Sequence, residues 1–130
     1  MSTDKNEIMT LLEEYTTSNE RGSLFLTCAT NDFKFIRPSG NPIDAKGYAN
    51  MFESGDIQIT ASALSKMHKL EIYGEIAFAA FTQTASFTYK GTTNNDVFTV
   101  SVLLKKVDGN WIFAWMQRST GEADISTWAY

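Results

Sequence analysis

Apolar positions follow a helical spacing near the start of the chain and alternate in its second half. Over residues 4–20, Ile8, Leu11, Leu12 and Tyr15 share one helical face. Ser2, Thr3 and Asp4 can cap this helix, and Asp4 with Glu7 has capping-box spacing. The pattern frays at "SNERG", where Gly22 is a suitable stop. "SLFLTCAT" (23–30) predicts a short second helix packing Leu24, Phe25 and Cys28. "FKFIRPSGNPI" reads as strand, turn and short strand around Pro38-Ser39-Gly40-Asn41. "DAKGYANMFES" predicts a helix with Asp44 as N-cap and Tyr48, Met51 and Phe52 turned inward.

From about residue 57 the period becomes two. "IQITASALSKMHKLEIYG" predicts a long strand bent or bulged in its middle, and "EIAFAAFTQTASFTYKG" the next. "TTNNDV" has the composition of a connection. "VFTVSVLLKK" and "NWIFAWMQRS" are strands joined by the hairpin signal "VDGN". Helices followed by consecutive antiparallel strands make an α+β domain. A strongly curved sheet wrapped around the long N-terminal helix leaves a cavity between them, the usual place for a ligand.

Size and charge narrow the picture. A single domain spanning 1–130 is long enough to bury its own core without staples. The net charge of −4 argues against nucleic acid and against an anionic membrane surface. Cys28 is the one cysteine, so no internal disulfide forms; a reducing, cytoplasmic setting and a buried structural thiol are expected. The opening segment has acids among its apolar residues, unlike a signal peptide, and no stretch approaches a membrane span. The sequence holds no Walker loop, G-x-G-x-x-G, G-x-S-x-G or C-x-x-C, and no metal or cofactor is expected.

This order of elements, from about 4 to 121, resembles the nuclear transport factor 2-like superfamily, a curved-sheet cone closed by helices. "WIFAWMQRSTG" resembles the last strand of the calcium/calmodulin-dependent kinase association domain. That resemblance implies that Arg118 faces the cavity and can meet a carboxylate. The family's second cavity arginine, one strand earlier, matches Val102 here, so half of that clamp is missing. "IMTLLEEYTT" and "SFTYKG" resemble ketosteroid isomerases, the SnoaL-like branch. Their helix-borne tyrosine matches Tyr15, and their catalytic base, just before the first hairpin's proline, matches Arg37. Their protonated acid matches Val102, or Ser101 with the hairpin shifted by one. Arginine stays protonated and valine donates nothing, so the resemblance implies a cavity without that proton shuttle.

Each candidate has a plainer reading. Arg118 is either a fork for an anionic or carbonyl group or a strand end in solvent. Gln83, inward with Phe81, Ala85 and Phe87 on the isomerase alignment, binds a ligand or satisfies a strand bend. His68, the lone histidine, is an acid–base group near neutrality or a half-buried strand residue. Arg37 guards the cavity mouth or is solvated. Tyr15 and Tyr48 line the pocket or fill the core. Alternation puts Ile112, Ala114, Met116 and Arg118 on one face and Trp111, Phe113, Trp115 and Gln117 on the other. A homodimer through a convex aromatic stripe of Trp111, Phe113 and Trp115 follows. The expected function is a small-molecule-binding domain. The alternatives are an isomerase, dehydratase or cyclase using the same pocket, and an interaction module whose cone is plugged by Phe81, Phe87, Phe98 and Met116.

Overall fold

The structure, a computed structural model, describes residues 2–121, so the end of the expected 1–130 domain lies outside the described residues. Helix α1 (Ser2–Thr17) presents Ile8, Leu12 and Tyr15 to the core, all fully buried, with Leu11 partly covered. A 3-10 turn (Arg21–Ser23) and α2 (Leu24–Thr27) follow, burying Leu24 and Phe25. Gly22 is required there by proximity: a Cβ on it would lie 2.8 Å from Phe52 Cβ. The short strands β1 (Phe35–Ile36) and β2 (Pro42–Ile43) flank the proline turn. Helix α3 (Ala45–Glu53) is capped as expected, the Gly47 amide donating to Asp44 Oδ1 at 2.8 Å.

Four long strands complete the sheet: β3 (Ile57–Tyr73), β4 (Ile76–Tyr89), β5 (Thr92–Val107) and β6 (Asn110–Thr120). The order is β2-β1-β6-β5-β4-β3, antiparallel except where β1 runs parallel to β6. Helix α1 packs against both β3 and β6. Those strands are three steps of roughly 4.8 Å apart along the sheet, so one helix of ~10 Å diameter touches both only because the sheet curls around it. Three irregularities in β3, at 59–61, 64–66 and 67–69, supply the bend that the sequence anticipates.

Two expectations about the strands fail. "TTNNDV" is not a connection. Lys90 and Gly91, at φ 48° and 85°, make a two-residue turn of the hairpin type, and Thr92 onward continues as β5. The second failure concerns β6. A bulge places Trp115 opposite Leu103 but Phe113 opposite Leu104, which leaves Ala114 as the extra residue. Face alternation reverses across it. Trp111 (3% exposed) and Phe113 (0%) therefore point into the core beside Met116, and the expected stripe shrinks to Trp115, 42% exposed on the outer face. Ile112 and Ala114 correspondingly leave the inward set and are only partly buried.

Asp4 lies inside the first turn of α1 rather than capping it, and ties the helix to the sheet. Its Oδ1 accepts from Lys106 Nζ at 2.9 Å and from Trp111 Nε1 at 3.1 Å. These bonds hold the Asp4 carboxyl below its ordinary range, and the bond to Asp4 raises the Lys106 ammonium. A lowered carboxylate pKa gives stability that is present above the unfolded value and lost as pH falls through the folded one. A raised lysine pKa gives stability lost only in strong alkali. The melting temperature of the wild type should therefore exceed that of Asp4→Asn at neutral pH, with the gap closing below about pH 4. Thermal melts from pH 7 to 3 check this, and a gap that persists at pH 3 would contradict it.

Candidate functional site

The deep part of the cone is filled. Phe81 and Met116 are fully buried and Phe98 nearly so, whereas Phe87, the fourth of the expected plug residues, is only partly covered. What stays open is the mouth, in two parts that share Arg37, Met51, Ile57, Phe87 and Arg118 as walls. A small inner chamber of about 30 Å³ lies against Phe35, Tyr48, Gln83, Phe87 and Arg118. An outer vestibule of about 430 Å³ opens between Arg37, Met51, Tyr89, Asp96, Phe98 and Arg118. The chamber has room for one or two waters or a group of a few atoms. The vestibule has the size of an ordinary small-molecule site. Arg37 and Arg118 line both.

A polar chain crosses this otherwise apolar region. Arg118 Nη1 lies 3.4 Å from the Tyr15 hydroxyl, a long contact. The Tyr15 hydroxyl donates to Gln83 Oε1 at 2.9 Å, and Gln83 Nε2 donates to Ser62 Oγ at 3.2 Å. Tyr15 is fully buried and Gln83 is 2% exposed. Burial raises the Tyr15 phenol above its ordinary pKa, opposed by the charge and hydrogen bond of Arg118. Burial likewise pushes the Tyr48 phenol up. Both phenols therefore keep their protons at neutral pH. The proton order is directional, since each member donates to the next from Arg118 to Ser62.

Arg118 is held by faces rather than by charges. Its guanidinium lies 4.1 Å from the ring centroid of Phe98 and 5.1 Å from that of Phe35. Its Nε is buried and has no hydrogen-bond partner. Among the described residues the ion pairs are Lys69–Glu71 and Lys106–Asp4, so neither Arg118 nor Arg37 is paired, even with Asp96 in the vestibule. Arg37 is partly exposed and is fixed by its own turn, Nε donating to Asn41 O at 3.2 Å.

Five of the six residues singled out from sequence meet here: Tyr15, Arg37, Tyr48, Gln83 and Arg118. Tyr48 stacks on Phe35 at 5.4 Å while lining the chamber. The sixth, His68, is not brought in. It sits at the third irregularity of β3, and its Nε2 is 2.7 Å from Oγ1 of Thr82, which alternates with the inward Phe81 and Gln83 and so belongs to the outer face. Val102, fully buried opposite Met116, points inward, and Ser101 therefore points out, so neither supplies an acid to the cone. Cys28 is partly exposed rather than buried.

Sequence reasoning missed Arg21. Its side chain is 7% exposed; Nε donates to Ser18 O at 2.7 Å, and one terminal nitrogen is buried without a partner. Burial lowers its pKa while nearby Tyr48 and Tyr15 oppose that. Nothing in "SNERG" marks it, because a helix-fraying segment gives no burial pattern. A groove beside α1, lined by Asn6, Glu7, Thr10, Cys28 and Asp108, is larger at about 690 Å³ but is walled by a solvated helix face. No group of three or more His, Cys, Asp or Glu among the described residues is placed to hold a metal ion.

The comparisons with known proteins fit this geometry. The family described as "Protein of unknown function (DUF3804)" matches residues 3–129. An NTF2-like protein of unknown function from Prochlorococcus marinus is 49% identical, over 98% of this chain and 100% of that one, at a TM-score of 0.88. A candidate calcium/calmodulin-dependent kinase II association domain from Exiguobacterium sibiricum is 20% identical over 95% and 98%, at 0.79. A ketosteroid isomerase-like protein from Erwinia carotovora atroseptica is 15% identical over 92% and 94%, at 0.65. The last two are likenesses of fold. Among curated proteins, none matches the chain.

Proposed function

We propose that this chain, which belongs to the DUF3804 family and has the NTF2-like fold, is a small-molecule-binding protein that takes an anionic or carbonyl group at Arg118. One observation carries the reading: a cavity-lining guanidinium with a buried, unpartnered Nε and, among the described residues, no carboxylate partner. A buried donor without an acceptor costs about 1–3 kcal/mol, a penalty that a bound acceptor removes. Tyr15 and Gln83 set the angle of approach, because both are fixed by packing and by the bond between them. The vestibule supplies apolar wall for the rest of the molecule.

A homodimer is part of the proposal, through a corrected surface. Phe78, Leu103 and Trp115 are direct cross-strand neighbours on the outer face, with Leu103 and Trp115 37% and 42% exposed. No described helix is long and apolar enough to cross a membrane, and a cytoplasmic location is proposed with it, supported by the single free cysteine. A small anion titrated into the protein should disturb Tyr15 and Arg118 first. An effect confined to the α1 groove would defeat the reading.

A further inference from the structure

Arg37 directly follows β1, and Arg118 lies on β6, the strand that β1 runs parallel to. Phe35 pairs with Met116 and Ile36 with Gln117, which sets residue 37 beside residue 118 at the end of the ladder. Both side chains line the chamber and the vestibule. Two guanidiniums on one wall repel each other unless an anion lies between them or water separates them. Among the described residues Asp96 is the one carboxylate lining either part, and it forms no ion pair with either arginine. The rest of the lining mixes aromatic and aliphatic side chains, Phe35, Phe87, Phe98 and Met51 among them, with the uncharged polar groups of Gln83, Ser39, Asn41 and Thr120.

Resting on the small-molecule reading above, we infer that Arg37 and Arg118 form a two-arginine clamp that selects a monocarboxylate with a single-ring or short apolar body, bound with the carboxylate inward and the body in the vestibule. Arg37, the residue directly after β1, supplies the second arginine from the side of β6 opposite β5. The volumes set the orientation. About 30 Å³ accepts a carboxylate head but no ring, whereas about 430 Å³ accepts a ring. Phe81 and Met116 fill the space that a deeply inserted fused-ring molecule would need. The planar fork of arginine matches a carboxylate through two parallel hydrogen bonds, which a neutral amide cannot reproduce.

The test compares benzoate and phenylacetate with benzamide and benzyl alcohol, by calorimetry and by the ring resonances of Tyr15, on the wild type and on Arg37→Met and Arg37→Lys. The carboxylates are expected to bind at least about tenfold tighter than the neutral isosteres, and Arg37→Met to remove about tenfold of that preference. Arg37→Lys should restore charge but only part of the affinity, because an ammonium cannot fork. Melting temperatures of the variants show that each is folded. Equal binding of benzamide and benzoate at Tyr15, or an unchanged preference in Arg37→Met, would overturn the clamp and leave the small-molecule reading standing. No disturbance of Tyr15 or Arg118 by either series would overturn both.

Discussion

Arg118→Met is expected to weaken benzoate binding by at least about tenfold while leaving the melting temperature unchanged or slightly raised. The two halves have separate causes. In the unliganded protein the guanidinium is partly withdrawn from water, and its Nε bonds to nothing. Removing a partly desolvated, unpaired charge relieves a cost, and methionine keeps contact with the rings of Phe98 and Phe35 that flank the site. The lost cation–π attraction, roughly 0.5–1 kcal/mol per ring, runs the other way and keeps the net change small. Binding loses one of the two charge-assisted forks of the clamp. A site that serves recognition behaves this way, whereas a structural arginine does the reverse. Calorimetry and thermal melts on one preparation separate the two. A fall in melting temperature of many degrees with benzoate affinity intact would assign Arg118 to the fold instead.

The second large effect concerns the aromatic residues of β6. Phe113→Ala is expected to cost about 3–5 kcal/mol, on the order of a 10–20 °C fall in melting temperature. Phe113 is fully buried, and its ring lies 5.1 Å from Phe25 and 6.4 Å from Phe33. The cavity left behind would be bordered by rings that other contacts hold in place. Trp115→Ser touches none of this. It is expected to convert a dimer to a monomer at micromolar concentration in light scattering, with secondary structure intact. If Phe113→Ala dissociated the protein without destabilising it, the bulge at Ala114 would be misplaced. If Trp115→Ser stayed dimeric, the outer-face interface would be wrong.

That pair of variants also marks where the sequence stops being readable. Helix α1, the capped helix α3, the bent β3 and the "VDGN" hairpin each rest on a local signal, an apolar period or a turn residue, and the structure contains them. The Ala114 bulge has no such signal. Alternation is a rule about unbroken strands, so a single inserted residue reverses the faces on one side of it relative to the other, and a parity that sets Arg118 inward puts Trp111 and Phe113, before the bulge, on the wrong face. Arg118 escaped because the resemblance, not parity alone, pointed it inward. "TTNNDV" misled because Asn and Asp favour turns while the actual turn, Lys90-Gly91, needs only two residues with positive φ. Of the site, Tyr15, Gln83 and Arg118 were legible singly. Their connection and the nearness of Arg37 to Arg118 depend on β1 lying parallel to β6, a pairing between segments distant in sequence. His68 draws attention through its chemistry, but a kink in β3 sets it, half-buried, against Thr82 and away from the mouth.

The central claim is that the mouth of the cone, not the groove beside α1, is the recognition site, and that Arg118 receives the ligand's polar head. Nitrogen-15 NMR of the arginine Nε–H groups during a benzoate titration tests it directly. The account predicts that Arg118 Nε–H, unpartnered in the free protein, shifts strongly and becomes protected from exchange, with Arg37 and the Tyr15 ring moving along the same curve. Shifts confined to Thr10, Cys28 and Asp108 around the α1 groove, with Arg118 Nε–H unmoved at saturation, would contradict it.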